Sequence, residues 1–310
     1  MPEIESNNQY KIENKDISSF TVAVIGGGLA GLSLSILLSK AGYKTILFNK
    51  EKYPFHKVCG EYISMESWNF IEKLGLPLSA LQLPLIQKLV VSSPNGNVIQ
   101  SELDIGGFGI SRYFLDNELK KIALENGVSL YEETKVTDVV FNDDTFTVKY
   151  NGGTITSKIV AGCFGKRSNL DVKWKRGFIQ RKPGKLNNYI GVKYHTRNNA
   201  GGDTIALHNF KNGYCGFSKI ENDEYCLCYL TTAKNLKSNH NSIGEMEKNI
   251  LFKNPFLQKI FTESEFIFKE PITISQISFD KKYPVENHIL MLGDAAGLIT
   301  PLCGNGMSIA

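Results

Sequence analysis

Residues 20–50, FTVAVIGGGLAGLSLSILLSKAGYKTILFNK, restrict the fold of this chain more than any other stretch. An apolar run over 20–25 leads into glycines at 26, 27, 28 and 31, helical apolar spacing over 29–40, and a second apolar run over 45–48. Strand-type runs on either side of one helix make a βαβ unit, whose strands are parallel because the helix carries the chain back to its starting edge. The turn reads G-x-G-x-x-G on Gly26, Gly28 and Gly31, with Leu29 and Ala30 opening the helix. Gly26 allows the tight turn, Gly28 lets backbone approach a pyrophosphate, and Gly31 lets helix and strand lie close. In isolation such spacing is a weak signal; placed between a strand and a helix, it is a dinucleotide fingerprint. The fingerprint predicts an acid at the end of the second strand to take ribose hydroxyls, but Asn49 stands there, followed by Lys50. An amide makes the same hydrogen bonds without the charge that strengthens them, so a weaker hold on the ribose is expected. Glu51 reads as a solvated surface carboxylate.

The far end of the chain repeats the theme. After an apolar run, GDAAGLITPLCGNGMSIA places a glycine-bracketed turn before the first residues of a helix. A helix N-terminus gathers unpaired N–H groups and the positive end of the dipole, which suits an anion or an electron-rich ring. A helix cut after its first turn cannot bury its apolar face, so the ending at Ala310 reads as a truncation.

Composition removes several classes of function. The 310 residues are 42% hydrophobic, enough for one large or two interleaved globular domains. A net charge of +4, with lysines scattered among acids, gives no reason to expect a nucleic-acid partner. The longest apolar stretch, 29–38, falls short of the roughly 20 residues of a membrane span. Residues 1–17 form a polar tail without the apolar core of a signal peptide. A cytoplasmic location follows as an expectation, with peripheral membrane contact left open. Six cysteines without a C-x-x-C pair imply reduced thiols. His195, His208 and His240 are isolated in sequence, and Cys226 and Cys228 share one strand face without further ligands, so no metal is expected and the two cysteines read as core. The G-x-S-x-G elbow of a Ser-His-Asp hydrolase is missing.

With both glycine turns in view, VAVIGGGLAGLSLSILLSKAGYKTILFNKEKYPFHKVCGEYIS and the closing GDAAGLITPLCGNGMSIA resemble the two FAD motifs of the superfamily of flavin oxidoreductases that includes aromatic-ring monooxygenases, flavin halogenases and geranylgeranyl reductases. The resemblance runs in order along all but the polar tail and is weakest in the middle. It implies that Gly293 and Asp294 meet the ribityl chain of FAD, and that Gly304, Asn305, Gly306 and Met307 present backbone N–H groups to the isoalloxazine. It also implies that Arg112, in ISRYFLDNELKK, lies near the flavin, that the backbone of Val136 meets the adenine, and that NADPH or NADH is the electron donor. Without the resemblance, Arg112 reads equally well as a surface residue. One departure concerns IVAGCFGKRSNL, where Phe164 replaces the aspartate of an Asp-Gly motif; a phenyl ring cannot hydrogen-bond a ribose.

KYPFHKVCGEYIS resembles the loop of the prenyl-reductase side of the group, in which a cysteine faces the flavin, so Cys59 is a candidate catalytic thiol; a lone cysteine is otherwise simply buried. His56 and Lys57 bracket it and would lower its pKa or pair with the FAD phosphate, or else are ordinary loop residues. Glu61 reads either as a flavin-side acid or as a carboxylate at the start of the following helix.

The middle of the chain reads as an antiparallel sheet: a hairpin across Pro94 to Gly96, then strands around 188–196, 203–209, 214–220 and 224–232. The fold class expected is therefore α/β, a Rossmann-like FAD-binding domain (18–80, 101–168 and 280–310) with an inserted antiparallel-sheet substrate domain (81–100 and 169–279). Many aromatics and no basic cluster point to a small apolar substrate, hydroxylated or reduced at a double bond by flavin chemistry. The alternative is a catalytically degenerate FAD-binding module, for which Asn49 and Phe164 speak; a flavin-free NAD-dependent dehydrogenase leaves the closing turn without a role.

Overall fold

The computed structural model describes residues 18–180, 188–299 and 304–309. The polar tail and Cys303 lie outside them. The chain enters on β1 (Ser19–Ile25), passes the glycine turn into α1 (Leu29–Lys40) and returns on β2 (Thr45–Phe48). A long loop reaches β3 (Tyr62–Ser64), α2 (Trp68–Leu74) and the hairpin of β4 (Leu85–Ser92) and β5 (Val98–Gly109). Then come α3 (Arg112–Glu125), β6 (Ser129–Tyr131) and a meander of β7 (Val136–Asn142), β8 (Thr145–Tyr150) and β9 (Gly153–Gly162). Two short helices, α4 (Asn169–Lys173) and α5 (Gly177–Gln180), precede β10 (Tyr189–Arg197), β11 (Thr204–Phe210), β12 (Gly213–Lys219) and β13 (Tyr225–Thr232). The chain finishes through α6 (Ala233–Lys237), α7 (Ile243–Ile250), α8 (Pro255–Glu263), β14 (Glu265–Phe266), β15 (Ile272–Ile277), β16 (Val285–Glu286) and β17 (Ile289–Met291).

These strands form two sheets. The first runs β16-β17-β9-β1-β2-β6, with β7 and β8 folded onto β9. β1 is parallel to both β2 and β9, as the βαβ reading requires. It is buried on both faces: Val22 and Val24 pack toward α1 and α3, and Ala23 and Ile25 toward the meander. Leu32 and Ile36 of α1 are fully buried against the first of these faces, each contributing about 1.5–3 kcal/mol. The second sheet runs β14-β10-β13-β12-β11-β4-β5-β3, with β15 beside β10. It is antiparallel except at the junction of β11 with β4, which is parallel because the hairpin arrives from the other part of the chain.

Pairing differs from the expected domain limits in two places. β5 continues unbroken from the hairpin to Gly109, and β3 pairs with its end, so the limit expected between 100 and 101 falls inside a strand of the second sheet. Ladder hydrogen bonds cannot be divided between two units without leaving buried backbone groups unpaired. Residues 169–180, expected with the substrate sheet, instead hold to the first one: Leu170 joins its core, and Arg176, fully buried, pairs with Asp171 and Glu286 and donates to the carbonyl of Ala295.

Candidate functional site

The first glycine turn is shaped by close approach. Gly26 has φ +110, and a Cβ there would overlap the carbonyl of Cys163 on β9; a Cβ at Gly31 would overlap the carbonyl of Gly26 itself. Gly28 is different, because a Cβ would meet only Arg112 Nη2 and Lys57 Nζ, each at 3.9 Å. Two cations thus flank the start of α1, a helix with no side-chain cap and no acid in its first turn. Buried Asp116 holds them in place. Arg112 Nε and Nη2 donate to its two oxygens at 2.8 and 2.9 Å, and Lys57 Nζ at 2.6 Å. Burial works against the Asp116 carboxylate, but Arg112 and Lys57 outweigh it and hold the carboxyl below its ordinary value. Two cations against one anion leave a positive charge beside uncapped N–H groups, the electrostatics of a phosphate site.

Arg112 reaches this place because Ser111 caps α3, its Oγ accepting from the N–H of Phe114 at 3.0 Å, which starts the helix directly beside the glycine turn. Asn49 is buried and turned to the chain itself: its Oδ1 accepts from the N–H of Gly27 at 3.2 Å and its Nδ2 donates to the carbonyl of Glu51 at 2.7 Å. The residue expected to face a ribose therefore clasps the glycine turn. Lys50, expected with it, is exposed, its Nζ 3.6 Å from the Glu51 carboxylate, because it follows Asn49, the last buried residue of this run. Val136 is buried in the core and its carbonyl accepts from Asn169 Nδ2 at 3.1 Å, so that half of the backbone edge expected for adenine is engaged. Phe164 packs edge-on to Trp174 with rings 6.2 Å apart.

The closing turn comes to the same loop. Gly293 has φ +55 and starts a single helical turn with Asp294 and Ala295. Burial raises the Asp294 carboxyl, opposed by Lys282, Arg112, Lys166 and Lys57, so Asp294 shares the electrostatic surroundings of the first turn. Lys282 Nζ donates to the Asp294 carbonyl at 2.6 Å and fixes that turn from below. Gly304, with φ +71, lies against Tyr62: a Cβ would come 3.1 Å from the ring. Met307 Sδ is 3.4 Å from Cys59 Sγ, and both Met307 and Leu292 pack on the core that contains Val24 and Ala30. Asn305 accepts through its carbonyl from the N–H of Ile309 at 3.1 Å, and space around Gly306 is open among the described residues. The two glycine turns, far apart in sequence, therefore meet the same stretch of chain: Tyr53 donates to the carbonyl of Gly27, Cys59 contacts Met307, and Tyr62 lies against Gly304.

Around Cys59 the geometry corrects two expectations. Lys57 is committed to Asp116, and His56 stacks on Tyr113 at 4.5 Å and is itself held near a pKa of about 4 by burial, so neither activates the thiol. Burial pushes the Cys59 thiol up, against the opposing pull of Arg112, and it stays protonated at neutral pH. Cys226 Sγ donates to the Cys59 carbonyl at 3.2 Å, which joins the loop to β13.

Glu61 begins no helix of its own. Fully buried, with φ +55, it accepts from the N–H of Arg112 at 2.7 Å, pairs with Lys193 Nζ, and contacts His195 Nε2 at 2.6 Å. Burial works against this carboxylate, but Lys193 and His195 outweigh it and keep it below the ordinary value. His195 of β10, isolated in sequence, is thus paired with the residue that leads into β3. The ligand atoms of Glu61, His195 and Cys226 lie within 4.8 Å of one another, yet the carboxylate is already matched by the Lys193 ammonium. A lysine inside the apolar strand NYIGVKYHT was the available signal for this ion pair, since a charge at such a position demands a partner.

The sequence model of the FAD binding domain family matches residues 19–310. The chain is similar to conditioned medium factor receptor 1 of Dictyostelium discoideum, 25% identical over 322 residues that cover 95% of this chain and 62% of that protein. It is also similar to the FAD-dependent monooxygenase ntnA of a Nectria species, 23% identical over 329 residues, covering 94% of this chain and 43% of the other. The chain spans less than two thirds of the length of either relative. Among solved structures, a flavin-dependent brominase superposes with a TM-score of 0.79 at 20% identity, over 94% of this chain and 76% of that one. At that identity the likeness is one of fold, and it matches the mixed α/β architecture described above.

Proposed function

Because this chain belongs to the FAD binding domain family, we propose that it is the flavin-holding part of an FAD-dependent oxidoreductase acting on a small apolar substrate, by hydroxylation or by reduction of a double bond. The observation that carries the reading is that the loop 53–61 meets both glycine turns, Lys57 with Arg112 flanking Gly28 and Cys59 touching Met307. The residues fit the cofactor: the space at Gly28 that a side chain would fill lies between two cations at an uncapped helix start, which suits a pyrophosphate. Once bound, FAD supplies the electron transfer.

The chain's own residues have separable tasks in this reading. Asp116 keeps the Arg112 and Lys57 side chains aimed before the anion arrives, so little ordering remains to be done on binding. The Asp294 carboxylate would accept from hydroxyls of the flavin's ribityl chain, and the backbone N–H groups of Gly306 and Met307 would donate to the cofactor. Cys59, protonated and beside Met307, holds a proton at Sγ that it would give to a bound substrate. The second sheet supplies the apolar wall, where Leu207, Cys228 and Leu230 are half-buried on the face turned to the loop 57–61. NADPH or NADH is the reductant in this reading, and the location is cytoplasmic; no helix of the described residues is long and apolar enough to cross a membrane.

Phe164 and the inward-turned Asn49 favour a second reading, a flavin-binding module without turnover. Purified protein separates the two. A yellow preparation whose flavin absorbance bleaches with NADPH or NADH supports the oxidoreductase, and a yellow preparation that neither nicotinamide bleaches supports the module. Colourless protein that takes up no added FAD sinks both. Turnover of a candidate substrate without oxygen then distinguishes reduction from hydroxylation.

A further inference from the structure

β12 carries Gly216 in its interior, and nothing among the described residues accounts for it. Glycine weakens a strand, so it is found there where a neighbour comes too close for a side chain or where a ligand does. Other glycines of the second sheet have such neighbours. A Cβ at Gly191 would lie 2.9 Å from Val58 Cγ1, and one at Gly213 or Gly109 would overlap a backbone carbonyl. At Gly216 the nearest atoms among the described residues are the Cys228 carbonyl at 3.7 Å and Leu207 Cδ2 at 3.8 Å, which is ordinary contact. Its φ is not in the left-handed region either. Neither packing nor backbone conformation asks for a glycine.

Its position says what else does. Cys215 and Phe217, on either side, point into the core formed with α7 and α8, so Gly216 belongs to the opposite face. On that face it lies in a cross-strand row with Cys228 and Lys193 on one side and Leu207 on the other. Lys193 is covered by Glu61, and the neighbouring Cys226 by the carbonyl of Cys59. Moving outward along the row, the loop cover ends and the residues become half-buried. Gly216 is therefore the low point of an apolar floor that starts beside Cys59.

We infer that Gly216 is a specificity-determining residue: its missing side chain makes a slot in the second sheet where the apolar part of the substrate lies on bare backbone, one strand away from the Cys59 loop. This rests on the proposed oxidoreductase reading and names where its substrate is selected. A flat ring or a slender isoprenoid chain fits such a slot, and any side chain at 216 would occupy it.

The test uses the full chain loaded with FAD, with Gly216→Ala and Gly216→Leu variants, and 2-naphthol and geranylgeraniol as probes read by perturbation of the flavin spectrum. The expected result is flavin content and melting temperature at or above wild type in both variants, since each gains strand propensity. At least one probe binds wild type, and its Kd rises modestly in Gly216→Ala and by about tenfold or more in Gly216→Leu. Which probe binds tells ring from chain. A Kd unchanged in Gly216→Leu with flavin retained overturns the inference, as does wild type that holds flavin but binds neither probe. A marked fall in melting temperature in Gly216→Ala overturns it too, because the space would then belong to the protein. Failure of wild type to take up FAD would instead remove the oxidoreductase reading beneath it.

Discussion

Asp116 shows how one side chain sets a site it does not touch. It is buried and binds both cations that flank Gly28, so replacing it by alanine leaves Arg112 and Lys57 partly buried and mutually repelling. Asp116→Ala is expected to lower unfolding stability by about 3 kcal/mol, read from urea midpoints, and to weaken FAD retention because the cations lose their aim. The pH dependence has a definite sign. The folded carboxyl lies below its ordinary value, so its contribution is complete above about pH 4 and is lost as pH falls toward the folded value. Wild-type stability should therefore fall more steeply than that of the variant as the pH drops below about 4. Half of this arrangement was readable: Arg112 and Asp116 are four residues apart on a helix, a spacing that brings side chains together. Lys57 was not readable as the third member, because its loop and that helix meet only in the fold.

At the scale of elements, the packing of α1 on the glycine turn decides the shape of that turn. A Cβ at Gly31 would overlap the Gly26 carbonyl, so Gly31→Ala has to push α1 away from the turn or distort the turn itself. The expected outcome is a loss of about 1–3 kcal/mol together with weaker FAD binding, both measured on one preparation by thermal unfolding and flavin release. Unchanged flavin affinity would mean that α1 does not contribute its N-terminus to the phosphate. Spacing announced this contact in advance, since the third glycine of the fingerprint has no other purpose. The end of the hairpin was harder to read. β5 carries Ser101, Glu102 and Asp104 on exposed positions, and polar residues in mid-strand look like a boundary until the partner strands are known.

For the molecule as a whole, the buried Glu61 joins the first turn's surroundings to the second sheet. Its carboxylate takes the Arg112 N–H on one side and Lys193 and His195 on the other. Glu61→Ala strands the Lys193 ammonium in the interior and is expected to cost about 3–5 kcal/mol, whereas Glu61→Leu combined with Lys193→Met should recover much of that loss. Denaturant unfolding followed by both tryptophan and flavin signals checks it. If the double variant is as unstable as the single one, the ion pair does more than balance charge.

The amino-acid sequence by itself determined the βαβ unit, the glycine turn toward each end and the apolar character of the second sheet, because hydrophobic period and glycine spacing are local properties. Only the tertiary structure decided that Asn49 turns inward, that Cys59 is a half-buried thiol without an activating neighbour, that Glu61 and His195 meet, and that no described neighbour crowds Gly216. Each of these depends on which distant segment comes within a few ångströms, and burial and charge pairing are set by those neighbours.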